Sequence, residues 1–369
     1  MSFQIMIEPL GQAVAARDGQ TVLDACLRAG VWLPHACGHG VCGTCKVQVL
    51  EGECEHGDAS NFALMDFERD DGKILACCAM AQADLVIEAE IDEDPDAQFL
   101  PLEDFDAELV QARMLTPTIR GLWLRTDRPA PFQAGQYVML HVPGVEGARA
   151  FSIANAPDDH LVELHIRRVP NGRATGWLHD ELQVGQRLRF TAPNGRFFVR
   201  KSAGLPMIFV AGGSGLSSPK SMVLDLLAEG CTLPITLVQG ARNTEELYYR
   251  ALFEQLAEQH PNFTYVPVLS DLPADSDWHG ARGFAHEALK AHFANDFRGH
   301  KAYLCGPPPM TEACIATLMQ GRLFERDIYT EKFFTAADAA SAAPRQPTGM
   351  PLRPSCSMPP SRVWSARHT

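Results

Sequence analysis

The chain has 369 residues, 46% of them hydrophobic and 21% charged, which excludes a broadly disordered protein and suits about two or three domains. No apolar run approaches the roughly 20 residues that cross a bilayer, and no basic-then-apolar leader opens the sequence, so a cytoplasmic protein is expected. The net charge of −13 lies in residues 1–98, where 18 acidic residues face 5 basic ones; this argues against nucleic acid and membrane as partners and permits steering toward a basic patch on another protein.

In chain order, residues 3–8 alternate as a strand, and Thr21 caps a short helix over 22–29 that stops at Gly30. Residues 37–45, dominated by Gly and Cys, form a loop. Strands follow at 46–50 and 85–91, with a short helix at 62–69. The acidic stretch 92–96 reads as a linker. Short strands at 106–112, 118–125, 136–142, 150–154, 161–168 and 187–191, with one helix at 175–182, predict a small antiparallel barrel. From 205 to 334 strands (207–211, 234–239, 263–269, 301–305) alternate with helices (219–229, 244–258, 283–294, 309–320), the pattern of an α/β layer on a parallel sheet. Residues 335–369 are rich in Ala, Pro and Ser without periodicity and read as a disordered tail.

The sharpest motif is Cys37, Cys42, Cys45 and, after 31 intervening residues, Cys77. This is the spacing of a plant-type 2Fe–2S ferredoxin loop, in which three thiolates sit on one wrapped segment and a fourth arrives from afar. Gly38, Gly40 and Gly43 allow tight turns that point N–H groups at sulfur. Zinc is the competing occupant, although zinc sites use two close pairs, and Cys78 competes for the fourth position. His35 and His39 flank the loop without the pairing that a Rieske centre needs.

Arg149, Phe151 and Ser152 follow a strand, where a guanidinium suits a flavin pyrophosphate and a hydroxyl suits the flavin ring edge; taken alone, the string is an ordinary strand. His165 and Arg167 lie on a second basic strand, and Gly172 with Thr175 opens a helix, a ready phosphate site. Gly212, Gly213, Ser214 and Gly215 join a strand to a helix containing Pro219, which makes anion binding credible without matching the dinucleotide fingerprint. Cys305, Gly306 and Pro307 end another strand at the ligand crevice. Glu331 precedes Phe333 and Phe334, either of which can stack on a flavin or simply pack at the domain edge.

These residues together resemble the reductase components of bacterial multicomponent oxygenases within the ferredoxin–NADP reductase superfamily, over about residues 1–335. The resemblance implies a multidomain protein: a β-grasp plant-type ferredoxin domain (α+β, 1–94), a linker (95–103), an antiparallel flavin-binding β-barrel (104–202), an α/β parallel-sheet nucleotide-binding domain (203–335) and the tail (336–369). It implies Cys37, Cys42, Cys45 and Cys77 as cluster ligands. Arg149, Phe151, Ser152, Ile153, His165, Arg167, Gly172, Ala174 and Thr175 fall around FAD, with Phe151 where the family usually has Tyr. Gly212, Gly213, Gly215, Pro219, Cys305, Gly306 and Pro307 fall around NADH, with Phe333 or Phe334 as the flavin-side aromatic. Arg242 leaves room for a 2′-phosphate, but the same stretch occurs in NADH-using relatives, so NADH is expected.

Ser152, Cys305 and Glu331 are the expected positioning residues, since no side chain need act as acid or base. Electrons would pass from NADH to FAD and then singly to the cluster. The acidic domain would dock a transient acceptor, a di-iron hydroxylase that oxidises phenol. Another aromatic-ring oxygenase, or a redox module without turnover, is the alternative.

Overall fold

Three sheets form in succession along the chain. The computed structural model describes residues 2–91, 94–158, 160–273 and 275–332; the expected tail, Phe333 and Phe334 lie outside them. In the first sheet the strands stand in the order Gln12–Arg17, Ser2–Glu8, Leu85–Glu88, Lys46–Glu51 and Lys73–Leu75. Ser2–Glu8 runs parallel to Leu85–Glu88, and the other pairs are antiparallel. The sheet grips helix Val22–Arg28, which starts where Thr21 accepts the Asp24 N–H and buries Val22, Leu23, Ala25 and Cys26. This is the expected β-grasp. Strands Gln12–Arg17 and Lys73–Leu75 were not anticipated, and the helix placed at 62–69 is the single turn Asp66–Asp70.

The second sheet contains all six expected strands, ordered Ala148–Ser152, Tyr137–His141, Arg187–Asn194, Glu103–Met114, Ile119–Thr126 and Leu161–Arg167. Its two edges meet through the isolated bridge Ile153–Leu164, so the barrel is nearly closed. Phe105, Leu122, Leu124, Val138, Leu140, Leu164 and Phe190 fill it. Helix Arg173–Asp180 packs Ala174 and Leu178 into this core.

The third sheet is parallel throughout, ordered Ala281–Arg282, Phe263–Leu269, Ile235–Ala241, Met207–Gly212, Lys301–Gly306 and Ile328–Lys332. Strand order reverses between Met207–Gly212 and Lys301–Gly306, and at such a switch point a crevice opens beyond the carboxyl ends of the strands. The helix expected over 244–258 is instead the short turn Thr244–Glu246 followed by helix Arg250–Gln259, because Tyr249 takes a left-handed backbone (φ 59°) between them.

The three sheets share one compact unit, Met1–Lys332. Gly135 shows how tightly the barrel meets its neighbour. At φ +100° a Cβ there would lie 1.9 Å from the Phe197 carbonyl oxygen and 2.3 Å from Met222 Cε. Gly135→Ala is expected to lower urea-unfolding stability by about 2–4 kcal/mol, since it adds backbone strain to a steric overlap. An unchanged midpoint would refute that reading.

Candidate functional site

The cysteine loop has no helix or strand from residue 32 to 45, and it keeps its shape through glycine. Gly38, Gly40 and Gly43 all adopt positive φ (72°, 79° and 74°). At Gly40 a Cβ would strike Cys78 Sγ at 2.7 Å, so no side chain fits. The Ser60 N–H donates to Gly40 O at 3.0 Å and ties segment 58–64 along the loop. The His39 N–H points at Cys37 Sγ at 3.5 Å, and Gly40 supplies a backbone hydrogen bond to Cys77.

The four thiols fall into two pairs. Cys42 is hydrogen-bonded to Cys37, and Cys45 to Cys77. Burial alone would raise Cys42, but hydrogen bonds from Thr44 and Cys37 outweigh it and bring the thiol down to about 6. Burial pushes Cys45 up to about 12. Among the described residues no three His, Cys, Asp or Glu side chains converge on one ion-sized point. Two thiols at each of two positions is the donor set of a two-iron cluster rather than of a single zinc, so the residues fit that group. Cys78 Sγ lies 3.7 Å from Cys77 Sγ, but it packs against Gly40 and Gly57 rather than pairing with Cys45.

The expected positioning residues meet at one carboxylate. Ser152 ends its barrel strand, Cys305 and Glu331 face each other across neighbouring parallel strands, and the Ser152 hydroxyl donates to Glu331 Oε2 at 2.9 Å. The Cys305 thiol reaches the same oxygen at 3.8 Å. Ser218, fully buried and one residue before Pro219, donates to it at 2.8 Å. Burial pushes the Glu331 carboxyl above its ordinary range, against the opposing hydrogen bonds of Ser218, Ser152 and Cys305. Tyr137, paired in register with Ser152, has its phenol raised to about 12 by burial and then by Glu331. This seam between barrel and parallel sheet is where a planar redox ring could be held by hydroxyl, thiol and carboxyl edges.

The nucleotide turn interlocks with the strand beside it. A Cβ on Gly215 would lie 2.6 Å from the Cys305 carbonyl, so the two loops pack backbone to backbone. A cleft of about 190 Å³ opens there, lined by Arg167, Gly212, Gly213, Arg242, Glu246 and Pro307 among others. Arg242 is ion-paired with Glu246. Pro219 lies inside helix Ser217–Ala228, buried behind the turn.

Around the barrel, the Arg149 guanidinium is exposed and donates only to the main-chain carbonyls of Glu146 and Ala148 among its described bonds, which leaves its charge available to a phosphate. Phe151 is half-buried beside it, and Ile153 is buried. Gly172 is the N-cap of helix Arg173–Asp180, with Ala174 buried and the Thr175 hydroxyl accepting the Val169 N–H at 3.1 Å.

His165 is placed differently from a ligand at the surface. It is 3% exposed, with Nε2 2.8 Å from Glu163 Oε1 and Nδ1 3.2 Å from the Tyr248 hydroxyl. Lys220 Nζ donates to Glu163 Oε2 at 2.8 Å and to Ala154 O at 2.9 Å, and the Tyr249 hydroxyl donates to Glu163 Oε1 at 2.5 Å. Burial works to raise the Glu163 carboxyl, but His165 and Lys220 outweigh it and hold it near 2. This network bolts the barrel to the nucleotide turn, since Tyr248 also donates to Gly213 O at 3.0 Å. Its sequence signal was a lone Glu inside the apolar run 161–166.

Comparison with known proteins covers the same three parts. A family profile described as a 2Fe-2S iron-sulfur cluster binding domain matches residues 5–82, an oxidoreductase FAD-binding domain matches 106–199, and an oxidoreductase NAD-binding domain matches 209–315. The chain is 58% identical over 346 residues to a phenol 2-monooxygenase reductase component of a Pseudomonas species, covering 94% of this chain and 98% of the relative. It is 55% identical to a phenol hydroxylase protein of Acinetobacter pittii with the same coverage. Among solved structures, the Amycolatopsis reductase GcoB superposes with TM-score 0.78 at 38% identity, covering 90% of this chain and 98% of that one. The ferredoxin reductase in carbazole 1,9a-dioxygenase gives 0.73 at 29%, covering 90% and 99%.

Proposed function

Because this chain belongs to the family of phenol hydroxylase reductase components, with the iron–sulfur, FAD- and NAD-binding domains of an NADH-dependent oxidoreductase, we propose that it serves the di-iron hydroxylase of a phenol-oxidising multicomponent oxygenase. The observation that carries the reading is the placement, within one compact unit, of two thiol pairs and of the Ser152–Cys305–Glu331 seam beside a nucleotide cleft. FAD, when bound, accepts a hydride and releases electrons one at a time, which matches a two-electron donor to a one-electron cluster.

The side chains divide the remaining work. Cys37, Cys42, Cys45 and Cys77 hold the cluster. Arg149, with the Gly172–Thr175 helix start, neutralises the FAD pyrophosphate, and Phe151, Ile153 and Ala174 line its site. His165 and Arg167 bear on it from the adjacent strand, His165 through its buried network. Ser152 hydrogen-bonds the flavin edge. The turn at Gly212, Gly213 and Gly215, backed by Pro219, receives the NADH phosphates, with Arg242 at the far end of the cleft. Gly306 and Pro307 shape the nicotinamide side, where Cys305 and Glu331 set the angle of approach and exclude water. The protein works in the cytoplasm, where its ten described cysteines, all free, stay reduced and available to iron.

The deciding experiment is anaerobic mixing with NADH: flavin and cluster bands should bleach in succession, and bleaching only by an external reductant would sink the reading. Oxidation of NADH in the presence of each candidate oxygenase then identifies the acceptor. A relative that is 39% identical over 91% of this chain is the reductase subunit of an aromatic O-demethylase, and this makes another aromatic-ring oxygenase the second reading.

The docking face is the acidic iron–sulfur module. Beside the exposed Cys42, Val41, Met65, Phe67 and the 87%-exposed Phe62 present apolar surface, with Asp58, Asp66 and Asp70 in the same segment. An acceptor with an apolar centre and a basic rim fits this surface. The double variant Phe62→Ser and Phe67→Ser should raise the KM for the hydroxylase about tenfold and leave NADH–ferricyanide turnover unchanged; an unaltered KM would place docking elsewhere.

A further inference from the structure

The stretch joining the iron–sulfur module to the barrel is bonded along its length. Asp94 Oδ2 accepts from Arg200 Nε at 2.8 Å and lies 4.0 Å from Arg196 Nη2, each of the three side chains being 14% exposed. Two residues on, the Asp96 carboxylate accepts from the Ser202 N–H at 2.9 Å and from its hydroxyl at 2.6 Å. The Asp96 carbonyl accepts from Gln133 Nε2 at 2.7 Å, and the Gln98 N–H donates to Gln133 Oε1 at 3.1 Å. The Leu102 N–H closes the run on Leu27 O at 3.0 Å, back on the iron–sulfur module.

Arg200 is fixed by its own surroundings. Its guanidinium donates to the carbonyls of Arg196 and Phe198 and lies over the Phe198 and Tyr329 rings at 4.0 and 4.3 Å. Its N–H donates to the Tyr303 hydroxyl, on the parallel sheet. Arg196 lies over the Trp32 ring at 5.1 Å, and Trp32 packs on His35 at 4.4 Å, just ahead of Cys37. Asp94 is therefore the point where connecting segment, barrel, parallel sheet and iron–sulfur module converge. The seam beside it leaves only a small void of about 30 Å³, room for about one water, among Trp32, His35, Phe99, Asn194 and Arg196. Directed bonds at Asp94 and Asp96 then fix how the segment sits across this seam. One carboxylate between two guanidinium groups is the kind of bond whose loss leaves like charges side by side with little solvent to screen them.

We propose that Asp94 is a positioning residue for the internal one-electron step: clasped between Arg196 and Arg200, it fixes the connecting segment so that the cysteine loop stays in register with the flavin barrel. The inference rests on the electron route proposed above. One electron crosses the seam in this step, and no bond is made or broken.

The test uses the full-length holoprotein and the variants Asp94→Lys and Asp94→Glu. In anaerobic stopped flow with NADH, Asp94→Lys should bleach the flavin band at the wild-type rate and the cluster band about tenfold more slowly, the effect of a 1.4 kcal/mol shift in the docking equilibrium. Asp94→Glu should stay within about twofold of wild type, because it keeps the charge. Amide exchange, which needs no turnover, should accelerate at Gln98 and Leu102 in Asp94→Lys alone. A cluster phase unchanged in Asp94→Lys, or flavin and cluster phases slowed equally, overturns the proposal. If the wild-type protein shows no NADH-driven cluster phase, the electron route itself fails; amide exchange unchanged in Asp94→Lys then overturns the clasp as well.

Discussion

Cys77→Ser is expected to remove the visible cluster bands and to lower electron delivery to a protein acceptor by about a hundredfold or more, while FAD content and NADH–ferricyanide turnover persist. The expectation follows from pairing. Cys77 is the partner of Cys45 and receives a backbone hydrogen bond from Gly40, so on the proposed ligand set its loss would leave one iron with a single thiolate. Its neighbour Cys78 is close at 3.7 Å, but its thiol lies against Gly40 and is hydrogen-bonded to Cys77 rather than to Cys45. Cys78→Ser is therefore the control and should keep its bands. Bands surviving in Cys77→Ser and vanishing in Cys78→Ser would exchange the two roles.

The second large effect belongs to Glu331. Glu331→Gln keeps an acceptor for Ser152 and Ser218 but removes the charge that both hydroxyls and the Cys305 thiol surround. Hydride transfer from NADH should slow about tenfold to a hundredfold, since a fixed charge beside the reacting ring is an orienting and electrostatic element. Stability should move the other way. Burial holds the native Glu331 carboxyl above its unfolded value, so over the range between the two the native state binds the extra proton. Its stability contribution is complete below the ordinary carboxyl range and is lost as pH rises through the native value. The variant lacks that loss, so its Tm should exceed the parent's above neutrality, and the gap should close as pH falls to about 4. A Tm below the parent's at high pH, with hydride transfer intact, would show that the charge is neither strained nor used.

Local chemistry was legible in the sequence; convergence was not. Cysteine spacing and the glycines between revealed the loop because ligand geometry is written into consecutive residues. The six barrel strands and the four long parallel strands were visible because each is long or strongly alternating. Short elements escaped: Gln12–Arg17 mixes Ala with polar residues, Lys73–Leu75 is three residues long, and the edge strands Ala281–Arg282 and Ile328–Lys332 exist only through their neighbours. The turn at Tyr249 broke a helix whose periodicity looked continuous. At the site, Ser152, Cys305 and Glu331 were each recognisable, but their common contact joins positions up to 179 residues apart. Ser218 and Tyr137 enter only through that fold. Glu163 and Lys220, 57 apart, carry no signal of their pairing in sequence and meet only where the two layers stack.

The exposure of Cys42 has a chemical consequence. On the docking proposed above, the surface that would receive a protein acceptor is also open to dioxygen, and an electron held at that edge would be open to loss outward as superoxide. A hydroxylase docked in that way would cover the opening. Idle protein supplied with NADH in air should therefore accumulate peroxide, and a saturating acceptor should suppress it even before aromatic substrate arrives.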